Sequence, residues 1–341
     1  MFEKPIADIK ALLVAIGVVV AVTGVIAAGQ QPNAAPTPSL SQLQQAANRG
    51  DARAQYNLGT YYSRPGVPEH NDALALEWLQ KSAEQGLADA QHSLAMMYLD
   101  ARGTKQDFSQ AAAWLRKAAD QGLATAQYSL GFLYSVGAGL AQNDAQAFEW
   151  WHKAADQGFA DGQNMIGVMY FNGRSVLRDD AQAVDWWRKA AAQGQGAALQ
   201  NLGVAYSTGR GVGRDLTQAA QWWRKAADTG NLAAINSLAT AYSTGAGVDK
   251  DPGEAARLWR QAADRGDAAA QHALGVAYHD GSGVPPDLIE SYKWLYIASV
   301  RTSGADQRSH IYARDAVGTN MTSEQLTEAQ KRARAWIDGF K

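Results

Sequence analysis

The chain of 341 residues contains no cysteine, and that absence removes thiolate metal sites, thiol nucleophiles and disulfide staples together. It leaves the compartment open, since oxidising and reducing spaces both accept a cysteine-free chain. An excess of one charge is missing too. Lys and Arg number 31 against 33 Asp and Glu, a formal net charge of −2, so there is no basic footprint for a nucleic acid partner. None of the six histidines, His70, His92, His152, His272, His279 and His310, stands in His-Glu-x-x-His or His-x-x-Glu-His spacing. His272 and His279 fall two turns apart on one predicted helix, too far for a single metal without a third ligand. No nucleophile elbow surrounds any serine, and the glycine-rich segments carry no Gly-Lys-Ser or Gly-Lys-Thr and follow no strand. No metal, small-molecule cofactor or catalytic residue is therefore expected, and the chain reads as a non-enzyme. A carboxylate pair brought together from distant segments is the one chemistry that a linear reading leaves open.

What is present is a repeat. A template running from Leu202 to Gly230 returns every 36 residues without insertion or deletion, and its tyrosine falls at Tyr62, Tyr98, Tyr134, Tyr170, Tyr206, Tyr242 and Tyr278. A fixed period in this range signals a solenoid of stacked supersecondary units. Each copy holds two helical patterns. Ala198, Leu199, Leu202, Gly203 and Tyr206 gather on one face of a first helix, and Ala219, Trp222, Trp223, Ala226 and Ala227 follow the spacing of an amphipathic second helix. Asn71, Asp107, Asn143, Asp179, Asp215, Asp251 and Asp287 stand where a side-chain oxygen caps that second helix, and Gly230 and its counterparts end it. The predicted fold is all-α, an α/α superhelical solenoid of seven 36-residue helix-pair repeats with N- and C-terminal capping helices. The tandem tryptophans at 150–151, 186–187 and 222–223 invite a carbohydrate-stacking reading. Their periodicity, and the leucines at equivalent positions such as Leu79, Leu115 and Leu258, assign them to the core instead.

Around the array, four segments are expected: a signal-anchor or signal segment at 1–29, a proline-rich linker at 30–38, the repeats at 39–301 and capping helices at 302–341. Residues 11–29 form an uncharged apolar run behind Lys4 and Lys10. Its length favours an uncleaved membrane anchor, while Ala27, Ala28 and Gly29 suit signal cleavage and secretion. With Lys before the run and no charge just after it, the array is expected outside the cytoplasm, in the periplasm of a Gram-negative cell. Leu43, Ala46, Ala47 and Gly50 mark an N-terminal cap. At the other end, a helix over 306–317 should turn Tyr312, Ala313 and Ala316 inward, and Thr322 with Gln325 opens a last helix through a capping box.

The set Leu-Gly-x-x-Tyr, Gly-x-Gly-Val, Asp, Ala-x-x-Trp-Trp-x-Lys-Ala-Ala and Gly resembles the Sel-one-like repeat, a relative of the tetratricopeptide repeat, over about residues 40 to 301. The resemblance implies an α/α superhelical scaffold that binds proteins or peptides, with some members serving as enzymes or as envelope and secretion accessory factors. If the first helices line the inner face, as in tetratricopeptide folds, the positions opposite the Leu-Tyr face become candidates for contact. The apolar ones concentrate at Tyr56, His92, Met96, Leu99, Tyr128, Phe132, Val168 and Phe171. Either they form a partner-binding groove, or close winding buries them. The functional expectation is a membrane-tethered or exported scaffold for a protein or peptide partner. An envelope hydrolase built on the repeats and a self-associating spacer are the alternatives.

Overall fold

The computed structural model describes residues 39–340, which form seventeen helices and no strand. Helix α1 (Leu40–Asn48) precedes seven pairs. The first three are α2 (Ala52–Tyr62) with α3 (Asp72–Glu84), α4 (Ala88–Asp100) with α5 (Phe108–Asp120), and α6 (Ala124–Val136) with α7 (Asp144–Asp156). Then follow α8 (Ala160–Asn172) with α9 (Asp180–Ala192), α10 (Gly196–Thr208) with α11 (Leu216–Asp228), α12 (Leu232–Thr244) with α13 (Pro252–Asp264), and α14 (Ala268–Asp280) with α15 (Leu288–Arg301). Two helices close the chain, α16 (Gly304–Gly318) and α17 (Ser323–Gly339). The helices gather into two compact units, Met1–Gln157 and Gly158–Lys341. Within each unit, every first helix packs on the second helix of its own copy, and that helix packs on the first helix of the next. This is the α/α solenoid that the period predicts.

The pairs form because the helices carry apolar faces, and every second helix of a pair opens on a side-chain cap. All seven predicted cap residues accept a hydrogen bond from a backbone N–H of the following turn, Asn71 from Leu74 at 3.0 Å and Asp215 from Gln218 at 2.9 Å among them. Such a cap contributes about 1 kcal/mol. In the first unit Leu58, Leu94 and Leu130 are fully enclosed, and Ala75, Ala111 and Ala147 face them with no exposed surface. The second unit repeats this with Ile166, Leu202 and Leu238, all buried, against Ala183, Ala219 and Ala255, and copy seven sets Leu274 against Ser291. Burying each leucine contributes roughly 1.5–3 kcal/mol, and the facing alanines let the backbones approach.

Glycine in the Leu-Gly step is matched to the tryptophan opposite. A Cβ at Gly131 would lie 2.7 Å from the Trp151 indole, at Gly167 2.5 Å from Trp187, and at Gly203 2.2 Å from Trp223. Trp151 and Trp187 are buried and donate their indole N–H to the carbonyls of Tyr128 and Asn164, at 3.1 and 3.3 Å. The residue before each of these remains within reach of a lysine three positions on, as with Lys117 3.7 Å from the centre of Trp114 and Lys189 3.8 Å from that of Trp186. A buried glutamine stitches successive copies: Gln91 donates to the Ala83 carbonyl at 3.2 Å and accepts from the exposed Gln121 at 2.7 Å. In copies five and six Leu199 and Ile235 stand in that place and are buried without polar needs.

At the C-terminal end Thr322 and Gln325 close the expected capping box, and Ala329 and Ala333 are fully buried. Helix α16 is rotated from the expected setting. His310 and Val317 face inward while Ala316 is exposed and Tyr312 is 79% exposed. The rotation is set by His310, whose Nδ1 lies 3.1 Å from Thr302 Oγ1 and 3.3 Å from the Ala298 carbonyl. Thr302 spends its own hydrogen on Ala298, at 2.9 Å, so the histidine Nδ1–H is the donor.

The expected membrane anchor, with the array held outside the cytoplasm, is corrected. No helix among the described residues is long and apolar enough to cross a membrane. The last helix, with 17 residues the longest described, is amphipathic, whereas a span needs about 20 apolar residues. The apolar run at 11–29 and the proline-rich segment at 30–38 lie outside the described residues.

The loop between paired helices tests the glycine reading. Gly211 has a φ of +74°, and a Cβ there would sit 2.0 Å from the Asp180 carbonyl oxygen, whereas Gly213, two residues on, has nothing within 4 Å. Gly211→Ala should lower the unfolding free energy by about 2–4 kcal/mol through left-handed strain and overpacking. Gly213→Ala should leave it unchanged or raise it by up to about 1 kcal/mol. Urea denaturation of the two variants distinguishes the positions.

Candidate functional site

The eight candidate residues separate by burial. In the first unit Leu99, Tyr128 and Phe132 are 2%, 7% and 2% exposed and belong to the core. His92 is buried as well, with Nε2 3.5 Å from Ser129 Oγ. Only Tyr56 and Met96 are half-buried there, and Tyr56 packs against the core cluster around Leu58 with the Arg53 guanidinium 5.6 Å from its ring centre. The apolar strip of copies two and three is thus largely interior. Winding of the stack closes over it.

In the second unit Val168 and Phe171 remain half-buried and line a cavity of about 230 Å³ together with Asn172, Trp187, Asn201 and Val204. Four elements build it. Helix α8 supplies Val168, Phe171 and Asn172 in its last turn and ends on Gly173 with a φ of 64°. Helix α9 supplies Trp187, pinned by its bond to the Asn164 carbonyl. Helix α10 brings Val204 and Asn201, and the Asn201 amide donates to Asn164 Oδ1 at 3.0 Å. The fourth element is the loop after α10, whose Arg210 guanidinium lies 3.3 Å from the centre of the Phe171 ring. Phe171 also meets Trp187, with ring centroids 5.1 Å apart at 54°. Cation and indole together hold the phenyl ring in place.

The charged groups beside the cavity form one cluster, two guanidinia on a single carboxylate. Arg210 donates to Asp180 at 3.0 and 2.7 Å and to the Phe171 carbonyl at 2.8 Å, and Arg178 donates to the same carboxylate at 3.0 and 2.8 Å. The Arg178 and Arg210 guanidinia hold the Asp180 carboxyl well below the usual carboxylate range. Two cations share one anion, and the cavity itself is lined only by neutral groups.

The same clasp exists in the first unit, where Arg102 donates to Asp72 at 2.6 Å and to the Ser63 carbonyl at 2.5 Å. There, Ser63 stands in the place of Phe171, Leu79 in that of Trp187, Thr60 in that of Val168 and Met96 in that of Val204. The clasp is a scaffold feature, and the aromatic floor is particular to copies four and five. Asn172, Trp187 and Asn201 were not among the sequence candidates. Trp187 reads as core because its position is apolar in every copy, and Asn201 lies one residue off the face that the helical wheel selects. Val204, at the same repeat position as Phe132 and Val168, could have been found from its side-by-side placement with Phe171.

A second row is polar and enclosed. Gln200, Asn236 and His272 share one repeat position, and Gln200 Oε1, Asn236 Oδ1 and His272 Nδ1 are buried without a hydrogen-bond partner among the described residues. Because these atoms are covered, the row is no contact surface. Among the described residues no group of three or more His, Cys, Asp or Glu side chains converges to hold a metal.

The architecture so built is that of a helical-repeat scaffold of the tetratricopeptide kind. The chain belongs to the Sel1 repeat family: the Sel1 repeat matches residues 52–87, 88–123, 124–159, 160–195, 196–231, 232–267 and 268–299. Each match opens on the first residue of a first helix, from Ala52 to Ala268. Repeats of this family form scaffolds typically used for protein–protein interaction. No curated protein sequence gives a significant match. Among solved structures, the chain is similar to a Sel1 repeat protein from Oxalobacter formigenes, with 27% identity, 74% of this chain and 97% of that chain covered, and a TM-score of 0.67. It is also similar to c5321, described as a protective antigen present in uropathogenic Escherichia coli strains, with 27% identity, coverage of 89% and 88%, and a TM-score of 0.50.

His92 sets a pH dependence of stability. Burial pushes its imidazole down to about 4, against an upward pull from Asp89. The folded state therefore holds His92 neutral while the unfolded chain takes up a proton near pH 6.5, so stability is full above that pH and falls as pH drops toward 4. The sum reaches about 3 kcal/mol. His92→Gln should flatten the fall by up to that amount when urea unfolding is compared at pH 7 and pH 4.5.

Proposed function

We propose that this protein is a non-catalytic interaction scaffold that holds a protein or peptide partner at the cavity formed by Val168, Phe171, Trp187 and Val204, with Asn172 and Asn201 beside them. The observation that carries this reading is the half-exposed apolar floor in copies four and five, held rigid by Arg210 and Trp187. Apolar surface that a fold holds open rather than covering usually marks a contact site. A volume of about 230 Å³ is below the range of whole small-molecule sites, roughly 300–1,000 Å³. It suits one anchoring side chain of a larger partner. The cavity is lined by neither charge nor nucleophile, so the binding reading is favoured over the hydrolase. Family membership supports the same use.

The substitution that separates binding from folding follows from burial. Phe132→Asp would bury a carboxylate and report on stability alone. Val204 and Met96 occupy the same repeat position and are both half-buried. In selection of a displayed random dodecapeptide library on the full chain, Val204→Glu should reduce binding of the selected peptides at least tenfold, and Met96→Glu should leave it unchanged. Helical circular dichroism should be the same for both. Peptides that ignore Val204→Glu would remove the site.

A further inference from the structure

We propose that the cavity of copies four and five selects a tyrosine or tryptophan side chain of its partner, a flat ring that carries one hydrogen-bond donor at its edge. This rests on the reading of the cavity as the partner site and names the chemistry of the anchor.

Three features of the lining lead there. The first is size: about 230 Å³ exceeds the roughly 150 Å³ that accepts a benzene ring, so a ring enters with space left for a polar edge. The second is the floor. Half-buried Phe171 lies between the Arg210 guanidinium, 3.3 Å from its ring centre, and the buried Trp187 indole, 5.1 Å away, and both hold the phenyl ring in place. An incoming ring that lays its face on the free edge of Phe171 gains edge-to-face contact beyond the area it buries, which an aliphatic side chain does not.

The third feature is an unused acceptor. Asn201 spends its Nδ2 on Asn164 Oδ1 at 3.0 Å. Its own Oδ1 accepts no hydrogen bond among the described residues, and it is not one of the enclosed, unpaired atoms such as Gln200 Oε1. Asn201 lines the cavity, and this oxygen is the part of its amide left without a partner there. A leucine, isoleucine or phenylalanine seated there would strip it of water and give nothing back, whereas a phenol O–H or an indole N–H replaces the lost hydrogen bond. A cationic anchor is disfavoured from the other side: two guanidinia share the one Asp180 carboxylate beside the cavity and leave an excess of positive charge. A neutral aromatic ring with a donor satisfies the floor and the acceptor together.

The test uses the full chain and a displayed random dodecapeptide library, with counter-selection on Val204→Glu. Peptides that depend on Val204 should carry tyrosine or tryptophan at one position common to the set. For such a tyrosine peptide, Asn201→Ala should weaken binding about three- to tenfold, the range of one neutral hydrogen bond. The same peptide with its tyrosine changed to phenylalanine should bind the original chain and Asn201→Ala equally well. That closes a double-mutant cycle in which general disturbance of the fold cancels. A common leucine, isoleucine or phenylalanine, or an equal loss for both peptides on Asn201→Ala, overturns the assignment while leaving the cavity as a binding site. Peptides indifferent to Val204→Glu overturn both.

Discussion

A helix pair of this composition cannot bury its own apolar stripe, and the close approach of each first helix to the second helix of its copy is the constraint from which the remaining structure follows. The approach depends on small residues. Ala147 faces Leu130, Ala183 faces Ile166, and Gly131 and Gly167 leave room for the indoles of Trp151 and Trp187. Copies one and seven place Gly59 and Gly275 against Leu79 and Leu295, where a Cβ would come within 2.7 Å, while copy six seats Ala239 in the same place. Much of the polar surface that the stack buries is paired by the repeat as well, through the glutamine pairs and the seven side-chain caps. The cap recurs in all seven copies, whereas Leu199 and Ile235 replace the glutamine stitch in copies five and six.

Function enters where that solution is not repeated. The Arg–Asp clasp at Arg102–Asp72 and at Arg210–Asp180 is the same device in both units, yet only the second encloses a phenyl ring between a guanidinium and an indole. Copy five then contributes Val204, where a larger side chain such as Phe132 in copy three fills the equivalent space with its own bulk. The cavity is therefore a local shortage of volume, lined on its polar side by Asn172 and Asn201. Such a site requires no special backbone, which explains why nothing in the template announces it.

How much could be read from the sequence depends on whether the signal was periodic. The helix pairs, the caps at Asn71 to Asp287 and the terminal glycines were legible because each recurs and each has a local physical cause; of the tandem tryptophans assigned to the core, Trp150, Trp151 and Trp187 are buried and Trp186, Trp222 and Trp223 are half-buried. Side-chain exposure on the inner face was not. Phe132 and Val168 hold the same repeat position, and only the packing of neighbouring helices decides that Phe132, with Tyr128 one turn before it, is interior while Val168 is half-buried at the cavity. The turn of helix α16 was misjudged for a similar reason: apolar Tyr312 suggested the inner face, whereas the hydrogen bonds of His310 to Thr302 and Ala298 fix the opposite rotation. Asn201 carried no signal at all, since its role arises from an amide already spent on Asn164.

Methyl resonances give the most direct view of the central claim, that contact is made at the irregular copies rather than along the regular stack. With valine and leucine methyls labelled, a peptide selected on the full chain should shift Val168 and Val204 as it is titrated and leave Leu58, Leu94 and Leu274 of the enclosed core in place. Shifts that spare Val168 and Val204 while moving residues elsewhere in either unit would contradict the account.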